Sequence, residues 1–257
     1  MSHAPLVHLV GAGPGAADLL TVRAARLIAT ADIVLHDALV DAEVLALAPE
    51  TARLVPVGKR CGRLSSAQAF INKQLIDAAH RYRTVVRLKG GDPMLFGRAQ
   101  EEIESLTQAG VSVNVVPGIS AAFGASAALQ QSLTQRGMSR SVCFLTPAVG
   151  SGEQGHDWAR PAVNADTAVL YMASRQAQAI TAGLLAAGIP ANRPAVLVES
   201  ATLAGERVIV THVGGLSQAA AQLGEGPALM MVGDVYASLA LREQHGGGST
   251  VRVQGAA

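Results

Sequence analysis

The sequence predicts an α/β protein of two domains, each built on a sheet of about five strands. Short runs rich in β-branched residues alternate with alanine-rich helical segments along most of the chain. Hydrophobic residues make up 49% of the sequence and charged residues 15%, which is typical of a well-buried globular protein. The length of 257 residues suits one large domain or two of about 100 to 150 residues, and two successive sets of strands favour two.

The first half of the chain contains five predicted strands, which are LVHLV (6–10), DIVLH (32–36), RLVPV (53–57), TVVRL (84–88) and VNVV (113–116). Helical segments separate these strands, which is the pattern of a largely parallel sheet. We predict helices from about Asp18 to Ala29, after Ser65 or Ser66 as the N-cap, and from about Arg98 to Gln108.

The second half contains the predicted strands SVCFLT (141–146), TAVLYM (167–172), AVLVE (195–199), ERVIV (206–210) and ALMMVGDV (228–235). A helix is expected from about Gln176 to Ala187. No helix separates the runs that end at 199 and begin at 206, so some strands should pair antiparallel. We therefore predict domains over 1–117 and 118–242, followed by a flexible tail over 243–257 that has no periodic pattern.

Composition and charge exclude several classes of protein. The net charge of +1 and an aromatic content of 3% argue against a general nucleic-acid binder. The apolar runs are too short to cross a bilayer, and the N-terminus lacks the features of a signal peptide, so we expect a cytoplasmic protein. Cys61 and Cys143 stand alone, which favours reduced thiols over a disulfide or a metal site. Residues 1–140 hold 14 of the 20 Lys and Arg, a bias that suits a pocket for a polyanionic small molecule, although solvated surface cations explain part of it.

Three glycine-containing turns follow predicted strands, at the positions where open parallel sheets bind ligands. They are GAGPG (11–15), KGGDP (89–93) and PGIS (117–120). Glycine lets the main chain approach a ligand closely, although each turn is equally explained as a structural turn. GAGPGA departs from the strict dinucleotide fingerprint, yet Asp37 lies where a ribose-binding acid would be, so an NAD-binding site stays an alternative.

Several longer motifs resemble those of the tetrapyrrole methylase family, in the same order and spacing. The motifs are VGAGPG (10–15), HDALV (36–40), VGKR (57–60), VVRLKGGDPMLFGR (85–98), VVPGISA (115–121) and LTQRGMSRS (133–141). The resemblance covers about residues 6–238 and is strongest to the uroporphyrinogen-III C-methyltransferases of that family.

The resemblance implies two α/β domains with the active site in the cleft between them. It also implies S-adenosyl-L-methionine as the cofactor, S-adenosyl-L-homocysteine as its product, and no metal. The positions that match the family's cofactor pocket are Pro14, Gly90, Gly91, Asp92, Leu95, Ser120, Ala121, Met172, Ala201 and Ala228. Without the resemblance, Met172 would be interpreted as a core residue of a strand.

The implied reaction is methylation of uroporphyrinogen III at C-2 and then C-7 to give precorrin-2. Asp37 matches the family's proposed proton acceptor and Lys59 its proposed proton donor, although each is also compatible with an ordinary surface charge. Arg98 and Glu101 match catalytic and substrate-pocket positions, and Arg60 and Arg136 match further positions for the substrate carboxylates. An exposed ion pair between Arg98 and Glu101 is the alternative interpretation of those two residues.

Some residues depart from the family's pattern, which leaves the cofactor positions intact but bears on substrate choice and turnover. These residues are Ala16, His36, Ala99, Gln100, Pro147 and Ala201. A methyltransferase acting on a later precorrin is therefore the main enzymatic alternative. An NAD-binding oxidoreductase and a non-catalytic tetrapyrrole-binding protein are alternatives from other classes. By resemblance we also expect a monofunctional homodimer whose product feeds sirohaem, cobalamin or haem d1 synthesis.

Overall fold

The computed structural model describes residues 4–58, 64–147 and 156–246 and confirms the α/β class, with two sheets of five strands each. The chain divides into two compact units, Met1–Phe123 and Gly124–Ala257. The predicted domain limits at 117/118 and 242/243 stay predictions. The last helix nevertheless continues to Gly246, past the expected start of the tail.

The first unit contains a fully parallel sheet with the strand order β3-β2-β4-β1-β5. Its strands are β1 (Leu6–Gly11), β2 (Ile33–His36), β3 (Arg53–Pro56), β4 (Val85–Lys89) and β5 (Ser112–Val116). Each lies within two residues of the prediction. Every residue of β4 is buried, as expected for a central strand covered on both faces.

Helices cover both faces of this sheet. They are α1 (Val22–Ile28), α2 (Ala42–Leu45), α3 (Leu64–Arg81) and α4 (Ala99–Gln108), and α5 (Ala121–Ala128) follows β5. Side chains of α1 and α2 pack with Val34 and Val86 on one face. Those of α3 and α4 pack with Leu35 and Val85 on the other. Helices on both faces leave the ends of the strands as the accessible edges of the sheet.

Two predicted helix starts were wrong. The segment from Asp18 is a short 3-10 turn, and α1 begins only at Val22 because the hydroxyl of Thr21 accepts a hydrogen bond from the backbone N–H of Ala24 at 3.1 Å. Helix α3 begins at Leu64, so Ser65 and Ser66 lie inside its first turn and neither is the N-cap.

The second unit contains a mixed sheet with the strand order β6-β7-β10-β8-β9. Its strands are β6 (Val142–Leu145), β7 (Thr167–Leu170), β8 (Pro194–Glu199), β9 (Arg207–His212) and β10 (Ala228–Gly233). The remaining helices are α6 (Ala159–Asn164), α7 (Ala177–Ala186), α8 (Leu216–Ala220) and α9 (Ala237–Gly246). Strands β8 and β9 pair antiparallel, which confirms the prediction from the missing helix. Among the described residues, no helix is both long and apolar enough to cross a bilayer.

His8 is the residue from which we expect a pH dependence of stability in the first unit. Its ring lies opposite Asn114 on β5, and the amide Nδ2 of Asn114 donates to Nδ1 of His8 at 3.0 Å. Burial lowers the pKa of His8 from 6.5. The imidazole of His8 therefore binds a proton more readily in the unfolded chain than in the folded one. Neutral His8 contributes its stability above about pH 6.5, and this contribution is lost as pH falls through the folded-state pKa.

We therefore expect the melting temperature to fall between pH 7.5 and pH 5, and to fall further in the native chain than in His8→Gln. These two pH values lie about 1 unit or more above and below the pKa of histidine in the unfolded chain. Thermal unfolding followed by circular dichroism measures both differences. Equal pH dependence in the two proteins would exclude His8 as the responsible group.

Candidate functional site

The parallel strands of the first unit bring most of the predicted site residues to one edge. Strands β1, β2, β4 and β5 all end there, because parallel strands share the edge at which their carboxyl ends lie. The loops and helix starts that follow carry Pro14, Asp37, Gly90, Gly91, Asp92, Leu95, Ser120 and Ala121. Their spatial grouping follows from topology, whereas their roles in binding stay predictions.

Three of the glycine turns at this edge are packed against each other. Gly91 has φ +66°, and its N–H and C=O both bond to Gly13, at 2.7 and 3.2 Å. A Cβ on Gly11 would lie 2.6 Å from Gly118, and a Cβ on Gly118 would lie 2.3 Å from the carbonyl oxygen of Gly91. These glycines are therefore needed for main-chain contact between loops, whatever ligand the edge binds.

Asp92 fixes the same loops. One carboxylate oxygen accepts from the backbone N–H of Gly118 at 2.9 Å, and the other accepts from the N–H of Met94 at 2.8 Å. The side chain thus joins the turn after β4 to the turn after β5. This contact gives Asp92 a structural role beside the cofactor contact predicted for it.

Gly90 is the turn residue that fits a ligand contact. In the described part of the chain its peptide N–H and C=O have no hydrogen-bond partner, in contrast to those of Gly91. A Cβ on Gly90 would lie 3.3 Å from the Cβ of Leu39, whose side chain is exposed. A main chain with unused polar groups beside an apolar side chain suits a nucleoside, which combines a flat ring with hydrogen-bonding edges.

Asp37 follows β2 and is the exposed end of a buried group of charged residues. We call Asp37, Arg87, Lys89 and Glu102 the ion cluster. Nη2 of Arg87 donates to Oδ1 of Asp37 at 2.7 Å and to Oε1 of Glu102 at 3.1 Å, and Nζ of Lys89 donates to Oε1 of Glu102 at 2.9 Å. The side chain of Asp37 is 28% exposed, whereas that of Glu102 is 0% exposed.

The two cations of the cluster respond differently to burial. Burial opposes the charge on Arg87, but Asp37 and Glu102 outweigh it and raise the pKa of the guanidinium. Burial and the neighbouring charge of Arg87 lower the pKa of Lys89, and Glu102 offsets this only in part. Arg87 is therefore the permanent positive charge that faces Asp37.

Sequence reasoning assigned no role to Arg87, to Glu102 or to the side chain of Lys89. A signal was present, because Arg87 and Lys89 are two residues apart in an otherwise apolar strand and so lie on the same face. Two cations on one face of a buried strand require acidic partners nearby.

Arg98 and Glu101 form an ion pair at the start of α4. Nε and Nη2 of Arg98 donate to the two oxygens of Glu101 at 2.7 and 2.6 Å, and the side chains are 45% and 50% exposed. This is the exposed pair that the sequence left as an alternative. The hydrogen bonds from Arg98 lower the pKa of Glu101. Arg98 and nearby Phe96 both have positive φ, which is a sparsely populated conformation for such residues and is often found at functional sites.

The departures at Ala99 and Gln100 fit this helix start. Ala99 is the buried first residue of α4, and the side-chain amide of Gln100 donates to Glu104 at 2.9 Å. Both residues thus support the helix at its start.

The second unit brings three predicted cofactor residues to one edge of its own sheet. Met172 follows β7, Ala201 follows β8, and Ala228 opens β10, which runs antiparallel to both strands. The expectation that Met172 lies on a strand was wrong. Strand β7 ends at Leu170, and Met172 has φ +55° and is 55% exposed, so the core interpretation fails too. Ser200 also has positive φ at this edge.

The remaining predicted residues are less constrained by the structure. Arg136 lies in an exposed turn of the second unit, closed by the bridge between Gln135 and Ser139. The described residues do not include Lys59, Arg60 or Cys61. Cys143 is free and half-buried, and burial raises the pKa of its thiol. Residues 4–58, 64–147 and 156–246 contain no group of three His, Cys, Asp or Glu that could hold a metal.

These features define an α/β protein with a parallel sheet. The carboxyl edge of that sheet carries closely packed glycine loops and the partly exposed carboxylate of Asp37, which is paired with Arg87. Residues 6–217 match the family described as Tetrapyrrole (Corrin/Porphyrin) Methylases. The chain belongs to this family.

Curated relatives and solved structures agree with this assignment. Siroheme synthases of Citrobacter koseri and Hydrogenovibrio crunogenus are 43% and 41% identical over 237 and 230 residues, which cover 92% and 89% of this chain. The chain spans about half the length of these relatives, at 51% and 49%. The uroporphyrin III C-methyl transferase of Thermus thermophilus has a TM-score of 0.80 and 33% identity, covering 95% of this chain and 97% of that one.

A second structure of the Thermus thermophilus enzyme is complexed with S-adenyl homocysteine and gives a TM-score of 0.80 with 36% identity, covering 90% of this chain and 99% of that one. The cobalt precorrin-4 methyltransferase CbiF gives a TM-score of 0.79 with 26% identity, covering 90% of this chain and 95% of that one. The same fold thus occurs in enzymes named for two different tetrapyrrole substrates.

Proposed function

We propose that this chain methylates uroporphyrinogen III at C-2 and C-7, with S-adenosylmethionine as the methyl donor, to give precorrin-2. The observation that carries the proposal is the placement of Asp37 beside the Gly90 turn at one sheet edge, in a chain similar over nearly its whole length to a uroporphyrin III C-methyl transferase. The complex of that relative with S-adenyl homocysteine supports the choice of cofactor.

S-adenosylmethionine, when bound, supplies an electrophilic methyl group on a sulfonium sulfur. In each transfer the S–CH₃ bond breaks as a C–C bond forms at the pyrrole carbon, S-adenosylhomocysteine leaves, and the positive charge passes to the macrocycle. One proton must then leave for each methyl group gained. We assign its acceptance to Asp37, the carboxylate at the sheet edge with 28% of its side chain exposed.

The other proposed site residues bind and orient the cofactor and the substrate. Gly90 offers an unused peptide group to the cofactor, and Gly91 and Asp92 hold that turn in place. Arg98 offers a guanidinium to a substrate carboxylate, with Glu101 fixing its plane through two hydrogen bonds. Arg60 and Arg136 are proposed for further carboxylates and Lys59 for proton donation, on the resemblance alone.

The proposal is tested by incubating the protein with uroporphyrinogen III and S-adenosylmethionine carrying a labelled methyl group. We expect mass analysis to detect one and then two labelled methyl groups on the tetrapyrrole. A protein that binds S-adenosylhomocysteine tightly but transfers no methyl group to this substrate would contradict the assigned reaction.

A later precorrin is the second candidate substrate, because the fold similarity to the cobalt precorrin-4 methyltransferase is nearly as high. The same assay distinguishes the two when later precorrins replace uroporphyrinogen III. Binding of NADH in place of S-adenosylhomocysteine would instead favour an oxidoreductase.

A further inference from the structure

We propose that Arg87 is a positioning residue for methyl transfer, which holds the carboxylate of Asp37 in the orientation that accepts the proton. Glu102 has the supporting role of fixing Arg87. This inference rests on the proposed function, in which Asp37 is the proton acceptor. It concerns Arg87 and Glu102, both buried in the first unit.

The main chain and the side chain of Asp37 are held by different partners. Its backbone N–H donates to the carbonyl oxygen of Leu88 at 3.2 Å, which continues the pairing of β2 with β4. Its carboxylate accepts a hydrogen bond from Nη2 of Arg87 at 2.7 Å. Within the described part of the chain, Arg87 is the side chain that donates to this carboxylate. Removing Arg87 should therefore free the carboxylate without displacing the backbone that carries it.

Arg87 is itself fixed in one orientation. Its Nε and Nη2 bond to Glu102 at 3.2 and 3.1 Å, and its Nη1 donates to the carbonyl oxygen of Leu88 at 3.2 Å. With all three nitrogens engaged and only 2% of the side chain exposed, the planar group has no room to rotate. One edge of the guanidinium therefore always faces Asp37.

Glu102 balances the buried charges that make this arrangement possible. Its Oε1 accepts from Lys89 at 2.9 Å and from Nε2 of Gln68 at 3.3 Å, in addition to Arg87. With Asp37 the cluster contains two carboxylates and two basic side chains. Glu102 also lies next to Glu101 in the first turn of α4, so the same residue anchors the helix that carries the Arg98–Glu101 pair.

The competing explanation is that the cluster only stabilises the fold. In that case replacing Arg87 would lower stability, yet the folded molecules would retain their turnover number. A positioning role instead predicts a fall in kcat that disappears when Asp37 is already absent, because Arg87 then has no carboxylate to orient.

The experiment is a double-mutant cycle on kcat for methyl transfer, with the native chain, Arg87→Gln, Asp37→Asn and the double variant. We expect Arg87→Gln to lower kcat by about 10- to 100-fold in the native background. In the Asp37→Asn background the same change should lower kcat by less than about 3-fold. The Kd for S-adenosylhomocysteine, measured by calorimetry, should stay within about 2-fold throughout.

Equal fold-reductions in the two backgrounds, or an unchanged kcat for folded Arg87→Gln, would overturn the proposal. If Arg87→Gln does not fold, Arg87→Lys replaces it in the cycle. Lysine keeps a buried positive charge but has a single nitrogen, so it cannot bond Asp37 and Glu102 in the geometry of a fork. Its kcat should fall by about 10-fold, again only when Asp37 is present.

Crystal structures of the native chain and Arg87→Lys provide a readout that does not depend on the substrate. The positioning role predicts that the Asp37 carboxylate rotates or becomes disordered while its backbone bond to Leu88 persists. An unchanged carboxylate would contradict the proposal even if the enzyme is active. A displaced carboxylate in a chain that methylates no tetrapyrrole would instead support the positioning contact and reject the proposed function.

Discussion

Asp37→Asn is expected to slow methyl transfer by about 10²- to 10⁴-fold while the affinity for S-adenosylhomocysteine stays the same. The amide keeps the shape of the side chain and one oxygen toward Arg87, but it cannot accept a proton at neutral pH. Because the substitution leaves the Gly90 turn unchanged, the loss should fall on kcat. Single-turnover assays with labelled cofactor and calorimetry with S-adenosylhomocysteine measure the two quantities separately.

Asp32→Asn is the matched control for this substitution. Asp32 precedes β2 at the opposite end of the same strand, where its carboxylate accepts from the backbone N–H groups of Arg83 and Thr84 at 3.0 and 2.8 Å. We expect Asp32→Asn to lower stability and to leave kcat within about 2-fold of the native value. A native rate in Asp37→Asn would remove that residue from the catalytic role, and an equal loss in both variants would indicate a general structural effect.

The strands were predictable because their signal is local. Each of β1, β2, β4 and β5 is a short run rich in apolar and β-branched residues. Residues typical of turns mark where β1, β2 and β4 stop, because β1 ends at Gly11, Asp37 follows β2 and Gly90 follows β4. The short helices were harder to predict. α2, α6 and α8 were not anticipated, since segments of 4 to 6 residues leave little periodicity to detect. The longer helix α9 was not anticipated either.

The site was predictable only in part, because contacts between distant segments have no local signal. The sequence located Gly11, Gly91 and Gly118 in three separate turns but not the contact between them. It named Glu101 as a partner of Arg98 but gave no role to Glu102, the next residue along α4. Successive helical residues point about 100° apart, so one acid pairs with Arg98 near solvent and the other turns into the core.

The buried ion pairs of the ion cluster could not be predicted from the sequence pattern. Arg87 and Lys89 lie in a run that is otherwise apolar, and a buried cation is stable only if an acid from another element reaches it. Here the acids come from α4 and from the end of β2, 15 and 50 residues away from Arg87 in sequence. Only the tertiary arrangement reveals that all the charges are paired.

Gly118→Ala is expected to destabilise the protein by about 3 kcal/mol, which corresponds to a fall in melting temperature of about 6 to 12 °C. An added Cβ would lie 2.3 Å from the carbonyl oxygen of Gly91 and 2.9 Å from the Cα of Gly11. Both neighbours are backbone atoms, one in the hydrogen-bonded turn at Gly91 and the other at the paired end of β1, so they cannot move aside as the end of a flexible side chain can.

The turn after β4 that contains Gly91 also contains Gly90. We therefore expect Gly118→Ala to weaken the binding of S-adenosylhomocysteine in addition to lowering stability. Gly205→Ala is the control, since an added Cβ there meets no atom within 4 Å. The control should change stability by less than about 0.5 kcal/mol and leave binding unaltered. If Gly118→Ala is as stable as the native chain, the three turns do not pack as tightly as the glycine contacts require. That result would contradict the rigid sheet edge to which we assign cofactor binding.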